Sequence, residues 1–124
     1  MFDHLSIGVR DVPAAIAFYR AALAPLGYHC LDEGDGYAGF GAEQPQFWLN
    51  ATDHPIPADP RSGLHICFVA PTAAAIDAFH AAALASGGAD NGAPGLRPNY
   101  GPDYYGAFVI DPDGYRIEAH CHTR

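Results

Sequence analysis

Leu5, Ile7 and Val9 alternate with Ser6 and Gly8 in the opening stretch "MFDHLSIGV", which is the period-2 signature of a half-buried strand. His4 falls on the face opposite those three hydrophobes. In "RDVPAAIAFYRAALAPLGY", Val12, Ala15, Ile16, Tyr19, Leu23 and Leu26 keep the spacing of one helix face. Asp11 suits the N-cap, and Pro13 sits in the first turn, where a missing N–H costs little. Pro25 and Gly27 end that helix. "DEGDGYAGFGAEQP" predicts two short strands with tight turns, and "PQFWLNA" predicts another strand. "TDHPIPADPRSG" reads as a Pro-rich linker without a core pattern.

The pattern then restarts. "GLHICFVAPTAAAIDAFHAAALASGG" is again a strand followed by a helix, with Thr72 as its cap. A shift of 61 residues aligns His4–Gly27 with His65–Gly88 without a gap, with nine of 24 positions identical. Five of these are alanine matches, which Ala-rich helices give cheaply, but His4/His65, Phe18/Phe79, Leu23/Leu84 and Gly27/Gly88 indicate an internal repeat. "YYGAFVID" and "GYRIEAHC" complete the second half as strands joined by an Asp-Pro-Asp-Gly turn. The expected fold is α+β, a single domain over 1–124. Module 1 covers about 1–52, a linker about 53–62 and module 2 about 63–124. Two βαβββ modules pair side by side, their strands forming one open, barrel-like mixed sheet around a cleft with the helices outside.

Composition narrows the function. With 49% hydrophobic and 16% charged residues the chain is expected to be globular rather than disordered. The formal charge of −8, with six scattered basic residues, argues against nucleic acid as a partner. Neither a secretory leader nor a membrane span is expected, and Cys30, Cys67 and Cys121 read as reduced thiols of a cytoplasmic protein. No phosphate-binding Gly loop, zinc-spaced Cys pair or nucleophile elbow occurs.

The chemistry concentrates on a few side chains. In the last strand Tyr115, Ile117, Ala119 and Cys121 alternate with Arg116, Glu118 and His120. Glu118 therefore faces the same cleft as His4 and His65, and a carboxylate there is costly unless paired or coordinated. Two imidazoles and a carboxylate form a set suited to Fe, Mn, Ni or Zn as a divalent metal ion. The alternative is a metal-free polar trio lining a binding cleft. His120, on the face of Glu118, is a candidate acid/base or else a strand-end residue. Tyr105, by parity with Ala107 and Val109, is expected to look into the cleft, where its hydroxyl could meet an oxyanion. "NGAPGLRPNYGPDYYGAF" reads as a substrate-shaping loop or a cover over the sheet. It offers Arg97 for a carboxylate or enolate, and Asn99, Tyr100 and Tyr104 as donors and flat faces. Trp48 either floors the cleft or fills it. His80 replaces Tyr19 in the repeat and is expected to pack on the apolar stripe of the second helix.

"DHLSIGVRD", "AFYRAALAPLGY", "LHICFVAP" and above all "GAFVIDPDGYRIEAH" resemble the vicinal-oxygen-chelate superfamily of glyoxalase I, extradiol dioxygenases and bleomycin- or fosfomycin-resistance proteins. The resemblance spans nearly the whole chain. It implies that His4, His65 and Glu118 hold a divalent cation in an enzyme that binds a small vicinal-oxygen substrate. A homodimer is also expected. Related glyoxalases carry a further ligand, usually glutamate, on the last strand of the first module, where this chain has Trp48. Indole cannot ligate through its N–H, so the resemblance points to the three-ligand, dioxygenase-like arrangement rather than to glyoxalase I. The alternative from another class is a non-catalytic protein that sequesters an antibiotic or toxin.

Overall fold

The computed structural model describes residues 1–56 and 59–123. Strand β1 (Leu5–Val9) leads into helix α1 (Val12–Leu23), followed by β2 (His29–Gly34), β3 (Tyr37–Gly41) and β4 (Phe47–Ala51). The second half runs β5 (Ile66–Val69), α2 (Ala73–Ala85), β6 (Ala89–Leu96), β7 (Tyr104–Ile110) and β8 (Arg116–His122). Both helix starts have the expected caps: the Asp11 and Thr72 side chains accept from the amides of Ala14 and Ala75. Gly27, at φ 90°, closes the first helical segment in the left-handed region that glycine adopts without penalty. Within the linker, Asp59 caps a short 3-10 turn over Pro60–Ser62, and residues 57 and 58 lie outside the described residues.

The strands form two four-stranded sheets, ordered β1-β4-β3-β2 and β5-β8-β7-β6, and neither closes into a barrel. In each sheet the first and last strands of the module pair in parallel across the helix crossover, and the remaining pairs are antiparallel. The two-module α+β architecture is as expected from the repeat. The continuous eight-stranded sheet is not formed. Its physical reason is the shared core: Ile7, Val9, Phe18, Tyr19, Phe40 and Leu49 of the first half join Ile76, Phe79, Val109 and Ile117 of the second in one apolar cluster. Phe47 of β4 meets Phe68 of β5 edge to face at 5.1 Å, and α1 packs against α2. The helix-covered surfaces of both sheets thus converge, which turns each sheet's polar face away from the core. Full burial of each large apolar side chain contributes about 1.5–3 kcal/mol.

A polar joint locks this arrangement. Asp111, at the end of β7, is 4% exposed and accepts the Tyr19 hydroxyl of α1. Its other oxygen accepts the amides of Asp113 at 2.9 Å and Tyr115 at 2.8 Å. From the same turn, Tyr115 donates its hydroxyl to the Gly8 carbonyl, and the Asp113 carboxylate accepts the Arg10 amide. Gly114, at φ 96°, supplies the reversal. The "DPDGY" segment is therefore the clasp between the two halves.

β6 covers Ala89–Leu96, most of which the sequence presents as loop. Pro94 and two glycines disguise it, because an edge strand with bulges tolerates both residue types. The three cysteines are free thiols. Among the described residues no helix is long and apolar enough to cross a membrane.

Burial raises the carboxyl of Asp111 above its ordinary value, outweighing the hydrogen bonds it accepts. Its contribution to stability is therefore full below the ordinary carboxylate range and declines as pH rises through the raised value. Asp111→Asn, which does not titrate, should gain on the wild type as pH rises from about 4 to about 7. Urea midpoints across that range provide the check, and a wild-type-minus-variant difference that stays constant with pH would contradict it.

Candidate functional site

The polar face of the second sheet is built around one carboxylate. Glu118 alternates with the buried Ile117 and Ala119 on β8 and so points away from the core, yet it is only 2% exposed. Neighbouring side chains on the same face cover it. His65, just ahead of β5, brings Nε2 to 2.8 Å from Glu118 Oε1. Tyr104 donates its hydroxyl to Oε2 at 2.6 Å. Both carboxylate oxygens are thereby satisfied, as a buried charge requires. Register places Cys67 of β5 and Phe108 of β7 on either side of Glu118.

Tyr104 reaches Glu118 by leaning over Gly106. A Cβ at that position would sit 3.1 Å from Glu118 Oε2 and 3.3 Å from the Tyr104 ring, so a larger residue would have to displace this bond by a few tenths of an ångström. Burial, and then the bond to Glu118, hold the Tyr104 phenol well above its ordinary range. The Cys67 thiol is pushed up to about 12, by burial first and by the Glu118 charge second. It is consequently a neutral wall of the site, since the reactive species is the thiolate.

Aromatic rings extend the site along the sheet. Tyr104 stacks on His120 with centroids 3.6 Å apart and planes 18° apart, and Tyr100 lies 5.3 Å beyond Tyr104. His120 Nδ1 is buried without a hydrogen-bond partner among the described residues. His122 meets His120 edge to face at 4.8 Å and lies 3.4 Å from Asp103. On the other flank Phe108 is 5.9 Å from the His65 ring, and the Arg97 guanidinium lies over Phe108 at 5.3 Å.

The structure therefore gathers His65, Glu118, Tyr104, His120, Tyr100 and Arg97 on one face. It does not bring the other three candidates there. His4 precedes β1 with its Nδ1 2.7 Å from Asp3 and its side chain 54% exposed. It opens into a cavity of about 410 Å³ that Cys67 and Val69 also line, but it does not join His65 and Glu118. Among the described residues no three His, Cys, Asp or Glu side chains form a group that could hold a metal ion. Trp48 lies on the polar face of the first sheet, opposite Ser6 and Gly39, with Tyr37 as its ring neighbour at 6.4 Å. Tyr105 faces away from the site and donates to Asp77 of α2 at 2.7 Å. Its parity with Ala107 and Val109 is as expected. That shared face, however, is the one covered by the helix.

Cys67, Gly106 and Phe108 were missed by the reading of the sequence. Strand parity with Glu118 would have found Cys67 and Phe108 once the pairing register was known. The close fit at Gly106 arises where Tyr104 and Glu118 meet over it.

A divalent cation fits the donor types on this face, an imidazole and a carboxylate aimed at one another. One chain supplies two such donors at one place, His65 and Glu118.

The sequence model of the family described as Glyoxalase/Bleomycin resistance protein/Dioxygenase superfamily matches residues 1–119. A glyoxalase/bleomycin resistance protein from Albidiferax ferrireducens is similar in structure, with a TM-score of 0.85 and 30% identity over 97% of this chain and 98% of that one. A genomically encoded fosfomycin resistance protein from Listeria monocytogenes shares the fold at a TM-score of 0.72 and 16% identity, covering 99% of this chain and 93% of that one. A glyoxalase I mutant from Zea mays shares it at a TM-score of 0.69 and 20% identity, covering 94% of this chain and 44% of that one. No curated protein matches the chain.

Tyr104→Phe leaves one buried oxygen of Glu118 without its donor. It should lower stability by about 1–3 kcal/mol, read from urea unfolding at neutral pH. An unchanged midpoint would show that Glu118 does not depend on this hydroxyl.

Proposed function

The chain belongs to the glyoxalase/bleomycin resistance protein/dioxygenase superfamily, and we propose that it is a metal-dependent enzyme acting on a small substrate with vicinal oxygens. The observation that carries this reading is the buried Glu118 carboxylate, held between the His65 imidazole and the Tyr104 hydroxyl on a face open to solvent. The cation would be held by His65 and Glu118, with His4 of a second copy as the third donor in a homodimer. His4 is prepared for such a role, because a ligating imidazole commonly anchors its other nitrogen on a carboxylate, as Nδ1 does on Asp3. In that assembly the polar face of the first sheet, with Trp48, comes from the second copy and covers the substrate. When bound, the cation supplies a Lewis acid for enolate-like or catecholate-like charge.

The chain's own residues do the rest. Tyr104 fixes the rotamer of Glu118 and leaves Oε1 turned toward His65. His120, stacked on Tyr104 with its Nδ1 buried and unpartnered among the described residues, is an imidazole placed on this face to exchange a proton with the substrate. Arg97 and Tyr100 flank the carboxylate and bind the substrate's outer oxygens. The flat rings of Phe108, Tyr104 and His65 exclude water from one side of a planar ligand.

Elemental analysis of protein purified without chelator tests this reading. Wild type should carry a stoichiometric divalent cation, and His65→Ala and His4→Ala should each lose it. Mixing the two variants should restore part of the metal, because a mixed dimer rebuilds one intact site from the two chains. Metal-free wild-type protein that still binds small ligands would favour sequestration without turnover. Metal retained by His4→Ala would remove the second copy from the site.

A further inference from the structure

We propose that Arg97 is a built anchor for the carboxylate of a small planar organic acid, and that His80 positions it from the opposite side of the sheet. This deepens the reading above and rests on it for the location of the site, though not for the cation.

The anchor begins as an irregularity in β6. Asp90 pairs with Val109, Gly92 with Phe108 and Gly95 with Gly106, so the register slips twice within six residues. The segment "DNGAPGL" permits this: Pro94 has no N–H to give the ladder, and Gly92 sits at φ 152°. The slack chain curls over Phe108 and presents its carbonyls to the arginine that follows. Arg97 Nη2 donates to the Ala93 carbonyl and Nη1 to that of Leu96, while the guanidinium carbon lies 5.3 Å from the Phe108 ring centroid, within cation–π reach. Two carbonyls and an aromatic ring thus orient the group before any ligand arrives.

Only neutral partners hold it. Among the described residues no carboxylate lies within ion-pair distance of Arg97. A guanidinium carries five N–H donors, and two hydrogen bonds leave the others with no protein acceptor among the described residues, on a half-buried side chain that a ligand can reach. A cation in that state favours an anion. A carboxylate matches the guanidinium fork, and the neighbouring rings of Phe108 and His65 favour a planar body behind it.

His80 enters from behind. It lies on α2 with its side chain 12% exposed, and its Nε2 is 2.9 Å from Asp90 Oδ1. The same oxygen accepts the Gly92 amide at 3.0 Å. The imidazole therefore pins the first slip of β6 to the helix. Packing there is tight: a Cβ on Gly92 would stand 2.9 Å from the Phe108 ring and 3.4 Å from Arg97 Nη2. Releasing Asp90 shifts the segment whose carbonyls hold Arg97. His80 is a positioning residue, acting through Asp90 and the bulge.

The test uses the full chain, freed of cations by chelation, and follows the Arg97 Nε–H and the backbone amides of 92, 93 and 95–97 by NMR. Benzoate and its uncharged counterpart benzamide are the probes. Benzoate should bind saturably and about tenfold more tightly than benzamide, the discrimination one charge-assisted contact gives. Arg97→Gln should abolish that preference. His80→Phe, which fills the space without bonding Asp90, should reduce it, and His80→Gln should restore part of it. Asp90→Asn provides a second route to the same loss if His80→Phe folds poorly. Absent saturable shifts, equal binding of the two probes, or preference retained in Arg97→Gln would overturn the anchor. Wild-type preference in both His80→Phe and Asp90→Asn would overturn the positioning role. Because the cations are removed, failure of the metal reading leaves each of these outcomes interpretable.

Discussion

A carboxylate out of water and a tyrosine with nowhere else to donate hold this fold in register. Asp111 and Tyr19 come from opposite halves of the repeat, 92 residues apart in the chain, and meet where the apolar core closes. Burial raises the Tyr19 phenol well above its ordinary value, and the Asp111 charge adds to that shift. The proton therefore stays on the tyrosine and the bond keeps its direction. Around it, Tyr115 and Asp113 tie the β7–β8 turn to Gly8 and Arg10. The "DPDGY" centre of the motif that most strongly suggests the family is, in space, a joint, while Glu118 and His120 after it belong to the candidate site.

The joint determines where chemistry can occur. With the two helix-covered faces pressed into one core, the polar faces look outward, and the β7–β8 hairpin carries the richer of them. One end of that hairpin is clasped to the first half, so the face bearing Phe108 and Glu118 is held rigid. Glu118 is tolerated as a buried acid because a phenol and an imidazole satisfy both of its oxygens. The same arrangement leaves His4 on a different surface, beside Asp3 and away from Glu118.

The repeat, the two capped helices, the inward set of β8 and the Asp-Pro-Asp-Gly turn were legible because each rests on local periodicity or local hydrogen bonding. Alternation correctly separated Glu118 and His120 from Ile117 and Ala119. It could not say which faces of the two sheets would meet, since parity assigns a side chain to a face without identifying what covers that face. Tyr105 illustrates the limit: its kinship with Ala107 and Val109 is real, and α2 lies over all three. β6 escaped notice because bulges and an edge position admit Gly and Pro that a central strand would reject. His80 was placed on the helix stripe, as observed, but its bond to Asp90 depends on a strand whose register slips.

The central claim is that the two halves are joined through a direct Tyr19–Asp111 interaction and not merely by shared apolar burial. A double-mutant cycle over Tyr19→Phe and Asp111→Ala, read by urea unfolding at pH values where the carboxylate is ionised, tests it most directly. The account predicts a coupling energy of about 1–3 kcal/mol between the two positions. Additive losses, with coupling indistinguishable from zero, would contradict it.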